Sequence, residues 1–208
     1  PKWRADFRSK VKAGRYDCVS FDFPCHSWSR ARRPNRNGPG PIRGDTLETL
    51  FGLPGLSVKD QAKVDDGNSL LVQTVALIKW CLKHDVLVIL ENPLTSRIWK
   101  TPDIIKLLAD SRASVHRTDY CQFGMEWKKP TQFVIWIPSM EDLFDLTLPR
   151  CKGRNGICSC SGAPHRQLQG KDPQTKVFWT KIAEPYPDWL CLQIALTCLL
   201  YTSPSPRD

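Results

Sequence analysis

The chain has 208 residues, 41% of them hydrophobic and eight of them Trp, which excludes a disordered polymer and suffices for one core with room for a small appendage. Thirty Lys and Arg against 21 Asp and Glu leave a formal charge of +9, so nucleic acid is the first partner to weigh, beside solvated cations that serve no polyanion. Nine Cys at scattered spacing, with no signal-peptide pattern, fit reduced thiols in an intracellular setting, nucleus or cytoplasm, better than a secreted disulfide framework.

In chain order, Trp3, Phe7 and Val11 have helical spacing, with Gly14 as a natural stop. Tyr16 to Phe23 is rich in β-formers and reads as a buried strand that Pro24 must end, which places Cys25 just past a strand's carboxyl end. Ligands and catalytic groups collect there in open α/β sheets. Arg30 to Gly55 holds four Pro and five Gly and reads as a long basic loop. With Arg30, Arg32, Arg33, Arg36 and Arg43 on it, the loop is either a lid over a phosphodiester backbone or a plain insertion.

Asn68 is expected to cap a helix through Lys83 that leads into a fully apolar strand ending at Glu91. A helix followed by such a strand indicates a parallel sheet covered on both faces, hence an α/β fold. Pro102 to Leu108, with Thr101 as cap, is the next helix. Ser114 to Tyr120 and Gln132 to Pro138 are further strands, joined by a turn over Phe123 to Pro130. Glu184 to Thr197 returns to helix, and the apolar run 189–200 is shorter than the roughly 18 residues that span a bilayer, so no membrane partner is expected.

Between these, Cys151 to Lys176 is polar and short of core residues. It would need help to order itself, which Cys151, Cys158, Cys160 and His165 could give as a zinc site; unligated thiols are the alternative. The expected division is an α/β core over 1–148, a Cys/His-containing appendage and helix over 149–197, and a non-native tail over 198–208. The last stretch, CLLYTSPSPRD, reads like translated sequencing adapter, and the opening at Pro1 without Met suggests a piece of something longer. Nothing in the chain speaks to oligomeric state.

The chemistry centres on Cys25, whose neighbours His26, Arg30, Arg32 and Arg33 would favour the nucleophilic thiolate; a buried structural thiol is the plainer alternative. Pro24-Cys25-His26-Ser27-Trp28-Ser29 resembles the nucleophile loop of carbon-5 cytosine methyltransferases, which runs Pro-Cys-Gln-x-aromatic-Ser after a strand. Glu91-Asn92-Pro93 resembles that family's Glu-Asn-Val, again at a strand end. Gly124 to Thr131 lies where the family has Gly-x-Pro-Gln-x-Arg-x-Arg, with Lys129 at the first arginine.

The resemblance implies a partial Rossmann-like sheet that uses S-adenosylmethionine, with the family's glycine-rich cofactor loop expected upstream of Pro1. It implies Cys25 as covalent nucleophile and Glu91 as the carboxyl group that hydrogen-bonds the base. Pro24, Trp28, Ser29, Arg30, Arg32, Arg33, Asn92 and Lys129 would then be substrate-binding groups, with DNA favoured over RNA. Two readings stand beside it: a nucleic-acid-binding module whose thiols serve zinc alone, and an amino-group DNA methyltransferase with Asn92-Pro93 in its loop. A zinc deaminase would need a second Cys where Trp28 stands.

Overall fold

A computed structural model describes residues 2–30, 32, 40–138 and 146–202, with side chains described as far as 199. The elements are α1 (Lys2–Lys12), β1 (Cys18–Asp22), α2 (Leu47–Leu50), α3 (Val58–Lys83), β2 (Leu87–Pro93), α4 (Pro102–Leu108), β3 (Ala113–Asp119), β4 (Pro130–Trp136), α5 (Trp179–Ile182) and α6 (Asp188–Thr202). The strands form one four-stranded sheet in the order β1-β2-β4-β3. It is mixed. β1 and β2 are parallel, with Cys18 opposite Leu87 through to Asp22 opposite Glu91. β3 and β4 run antiparallel, since the Ser114 hydroxyl donates to Ile135 O and the Ile137 N–H to Arg112 O.

The chain divides into two compact units, Pro1–Val115 with Phe133–Phe144, and His116–Gln132 with Asp145–Asp208. The division falls inside β3 and β4, so the second unit takes in 116–132 as well as the expected appendage.

In the first unit, six consecutive residues of β2, Leu87 to Asn92, are buried, the mark of a strand covered on both faces. α3 supplies the long crossover that a parallel pair requires. Its Ser57 cap accepts the Asp60 N–H at 3.2 Å, and Val64, Gly67, Leu71, Val75, Ile78 and Leu82 form its buried stripe. The cap therefore stands eleven residues before the expected one at Asn68. Asp65-Asp66-Gly67-Asn68 looks like a break, but Gly67 lies inside the helix, where a side chain would crowd its neighbours. A Cβ there would meet Ser27 Oγ at 2.3 Å, Arg43 Nη2 at 2.7 Å and Trp28 Nε1 at 3.1 Å.

Helix propensity alone would make Gly67→Ala stabilising by about 1 kcal/mol. The contact to the Cys25 loop reverses the sign, and a net loss of roughly 1–3 kcal/mol is expected from overpacking. Urea unfolding of the variant checks it; a raised midpoint would contradict the close approach.

Thr101 does precede α4, whose first residue is Pro102, but its hydroxyl donates back to Ile98 O at 2.8 Å instead of capping the helix. Trp136, fully buried at the end of β4, donates its indole N–H to Leu107 O at 3.0 Å and so ties α4 to the sheet.

In the second unit, β3 runs into a 3-10 turn over Tyr120–Phe123 that Gly124 ends at φ +86, a conformation suited to glycine. α6 buries Leu190 and continues to Thr202, into the stretch expected to be foreign. Between Cys151 and Ile182 the only buried residues are Cys151 and Cys158. No described helix is long and apolar enough to cross a membrane.

Candidate functional site

Pro24 ends β1, and the chain turns at once. The N–H groups of Trp28 and Ser29 both donate to Cys25 O, at 3.0 and 2.7 Å, leaving the Cys25 side chain half-buried. β2 ends beside it with Glu91, 6% exposed, and the fully buried Asn92. Asn92 Nδ2 donates to Phe23 O at 2.7 Å, across the two strand ends. Because Asp22 pairs with Glu91 in a parallel register, Cys25 and Glu91 leave the sheet at the same edge.

The loop is anchored from beneath by Trp28, which is fully buried, packs against Phe23 and Phe51, and carries the Arg43 guanidinium 3.6 Å from its ring centroid. Trp28 thus supports the loop from behind. The Arg97 N–H donates to Trp28 O at 3.0 Å, tying the residues after β2 to the same loop.

Arg43, expected on a lid facing phosphate, is instead 1% exposed. It donates to Ser27 O, Leu50 O, Val64 O, Ser27 Oγ and Asn68 Oδ1. Arg32 puts both terminal nitrogens on Asp60 Oδ1 at 3.1 Å. Arg33 and Arg36 lie outside the described residues. Arg30 pairs with Asp45, which also receives Arg97 at 3.5 Å and Lys100 at 3.1 Å. Three cations on one carboxylate leave positive charge beside the Cys25 loop.

Burial works to raise the Asp45 pKa, but Lys100, Arg97 and Arg30 outweigh it and hold the carboxyl below its ordinary value. The sign follows from a depressed folded pKa: the stabilisation is complete above the unfolded value near ~3.9 and disappears as pH falls through the folded one. The stability difference between the natural protein and Asp45→Asn should therefore be small and positive at neutral pH and shrink toward zero on acidification. Thermal unfolding across the acid range measures it; a difference that grows in acid would contradict the assignment. A partly exposed carboxylate keeps the effect below about 1 kcal/mol.

Lys129, in the second unit, has its ammonium on Ala183 O at 2.8 Å and Glu184 O at 3.2 Å, above the Tyr120 ring. It holds the chain that follows α5.

The same unit gathers Cys121, Cys151, Cys158 and His165, with one donor atom of each lying within 4.8 Å of the others; this group could hold a metal ion. Cys160, expected in the set, is corrected to Cys121. Cys160 is exposed and contributes its backbone N–H to Cys158 Sγ at 3.4 Å, because a residue two beyond a ligand in this tight turn points away. Cys158 N–H bonds Ala163 O at 2.8 Å and His165 N–H bonds Gly156 O at 2.7 Å, which closes the turn.

Burial raises the Cys121 thiol to about 12, and its thiol neighbours Cys151 and Cys158 add to the shift. Burial acts the same way on Cys151, but the Ser159 N–H and hydroxyl and the Gly153 N–H overcome it and bring the thiol down to about 6. Cys158 falls to about 7 against its burial, through the N–H groups of Ser161 and Cys160, the Ser161 hydroxyl and His165. Thiolate character in Cys151 and Cys158 suits metal ligation.

No protein-family model, curated protein or solved structure matches this chain.

Sequence reasoning missed Cys121, the structural role of Arg43, and Asp119. Asp119 is fully buried and accepts the Cys151 N–H at 2.9 Å and Arg150 Nε at 2.8 Å. The available signal was Cys121 itself, a thiol directly after a strand, thirty residues ahead of the cysteine-rich segment.

Proposed function

We propose that this chain carries the nucleophile loop and the base-binding carboxyl of a carbon-5 cytosine methyltransferase acting on DNA. The observation that carries the reading is the shared edge: Cys25 and Glu91 follow paired residues of two parallel strands, and Asn92 bonds across to the backbone before Cys25. The sheet order β1-β2-β4-β3, with its antiparallel pair, also suits the terminal hairpin expected of that family.

In this chemistry the Cys25 thiolate adds to carbon 6 of cytosine, and the displaced π pair makes carbon 5 nucleophilic. Glu91 is placed to hydrogen-bond N3 of the ring and so offset the charge that builds there. Once carbon 5 has bonded an electrophile, loss of its proton with expulsion of the sulfur restores the aromatic ring and the thiolate. The base must leave the stack to reach either group, and the cation group of Arg30, Arg97 and Lys100 is suited to holding the backbone.

S-adenosylmethionine would supply an electrophilic methyl group. β1 runs into Pro24 and Cys25, and β2 into Leu94 and Thr95, so neither is followed by a glycine-rich turn. No residue of this chain is assigned to that cofactor. For the metal, three thiolates and an imidazole favour zinc, which takes this donor set in closed structural sites. Reduced thiols favour a reducing compartment, nucleus or cytoplasm.

The test is a duplex bearing 5-fluorocytosine, incubated with the protein and S-adenosylmethionine. Fluorine cannot leave as a cation, so elimination is blocked and a covalent adduct should accumulate, with peptide mapping placing it on Cys25. Methyl transfer to ordinary cytosine without an adduct on the fluorinated duplex, or an adduct on another cysteine, would overturn the assignment.

A further inference from the structure

The second unit has a long segment with almost nothing apolar inside it. From Cys151 to Ile182 every side chain is exposed or half-buried except Cys151 and Cys158, and the buried cluster beneath this segment consists of Cys121, Cys151 and Cys158 alone. A segment of this composition cannot offset its ordering entropy by hydrophobic burial. Its order has another source.

The four donors lie within 4.8 Å of one another, and one edge of the group has the length of a metal tetrahedron's edge. With Zn–S near ~2.3 Å and Zn–N near ~2.1 Å at the tetrahedral angle, the sulfur-to-nitrogen edge is about 3.6 Å. Cys151 Sγ lies 3.6 Å from His165 Nε2. All four positions are filled by protein, which leaves none for a substrate and marks a structural site.

The surroundings are built to match. Ser159 offers its N–H and hydroxyl to Cys151 Sγ at 3.5 and 3.6 Å, and Cys160 offers its N–H to Cys158 Sγ. Asp119 holds the Cys151 backbone. Donors of this kind orient and stabilise ligating thiolates. Gly153 allows the loop to double back, since a Cβ there would lie 1.9 Å from Ile157 O.

Resting on the reading of the metal as zinc, we infer that one zinc ion held by Cys121, Cys151, Cys158 and His165 serves as the core of the segment 151–182. The segment 151–182 folds when the ion binds and unfolds when it leaves, while the first unit stands without it. Three separate pieces of chain supply the ligands: the turn after β3, the 151–158 loop, and His165 on its return. The ion is therefore a long-range staple, and its binding free energy is folding free energy.

Two measurements on the whole chain test this. In the first, reduced metal-free protein is titrated with cobalt(II), whose thiolate charge-transfer absorption scales with the number of sulfur ligands. One equivalent should bind and be displaced by zinc. Cys160→Ser should leave the band unchanged, and Cys121→Ser should lose about a third of it, as expected for three thiolates reduced to two. In the second, hydrogen exchange is compared with and without zinc. Amides of 151–182 should lose their protection on zinc removal while those of β1 and β2 keep theirs.

Absence of any cobalt or zinc binding overturns both the zinc reading and the inference. Stoichiometric zinc with unchanged exchange in 151–182 overturns the inference alone. A band lost in Cys160→Ser and kept in Cys121→Ser overturns the ligand set.

Discussion

On the proposed reading, Cys25→Ser is expected to abolish exchange of the carbon-5 hydrogen of cytosine with solvent, while leaving the fold and the proposed DNA binding in place. Under the proposed chemistry the wild-type thiolate adds to carbon 6, a solvent proton is taken up at carbon 5, the original hydrogen leaves, and elimination restores the base. No methyl donor is consumed, so tritium release from carbon-5-labelled DNA reports on this chain's own groups. A serine hydroxyl is far less ionised at neutral pH than a thiol with a pKa near ~8.5. The loop should survive the change, because it is held by the Trp28 and Ser29 N–H groups on the Cys25 carbonyl and by the buried Trp28, none of which involves the sulfur.

Glu91→Gln should keep a hydrogen bond to the base but not the proton transfer, with a loss of roughly 10²–10⁴ in rate. Affinity for DNA should remain and fall with salt in both variants. Full exchange in Cys25→Ser would end the covalent reading.

The largest expected loss of stability follows from Arg43→Met. This guanidinium is the hub of the first unit's polar interior, making five hydrogen bonds, three of them to the backbone carbonyls of Ser27, Leu50 and Val64. Burial, followed by the charge of Arg97 and opposed by Asp65, brings its pKa down to about 10, so it stays charged at neutral pH. Methionine fills a similar volume but takes away the donors to the Ser27 and Leu50 carbonyls and a second donor to Val64 O, which the helix still serves. The expected cost is roughly 3–5 kcal/mol, on the order of 10 °C in Tm for a chain of this size. Arg43→Lys should recover only part of it, since an ammonium has fewer donors and no planar face to stack on Trp28. Arg30→Ala, which breaks an exposed pair, should change stability by less than about 1 kcal/mol. Equal losses for Arg43→Met and Arg30→Ala would contradict the hub.

The contrast between those arginines shows where sequence reading reaches its limit. Tyr16 to Phe23 and Asp85 to Glu91 are short apolar runs with clear ends, so the strands and the placement of Cys25 and Glu91 at their carboxyl ends could be read directly. Arg43 stands among glycines and prolines, where an arginine ordinarily reaches solvent; only the tertiary approach of Val64, Asn68 and Trp28 buries it. Gly67 is legible as a helix breaker but not as a point of contact. Cys160 was favoured as a ligand by its nearness to Cys158, and Cys121 escaped notice because the metal cluster is assembled by the return of the chain past β3, which spacing along the sequence does not encode.

The bond from Asn92 to Phe23 joins residues 69 positions apart. Loop-closure entropy must be overcome before such a contact forms, so α3, whose contacts are local, is the natural first structure and the β1–β2 pairing a late one. The proposed catalytic pair then comes into being in the last steps of folding. A nascent or partly unfolded chain would hold helix but no reactive centre, and a burst of helical circular dichroism should precede the capacity to form an adduct.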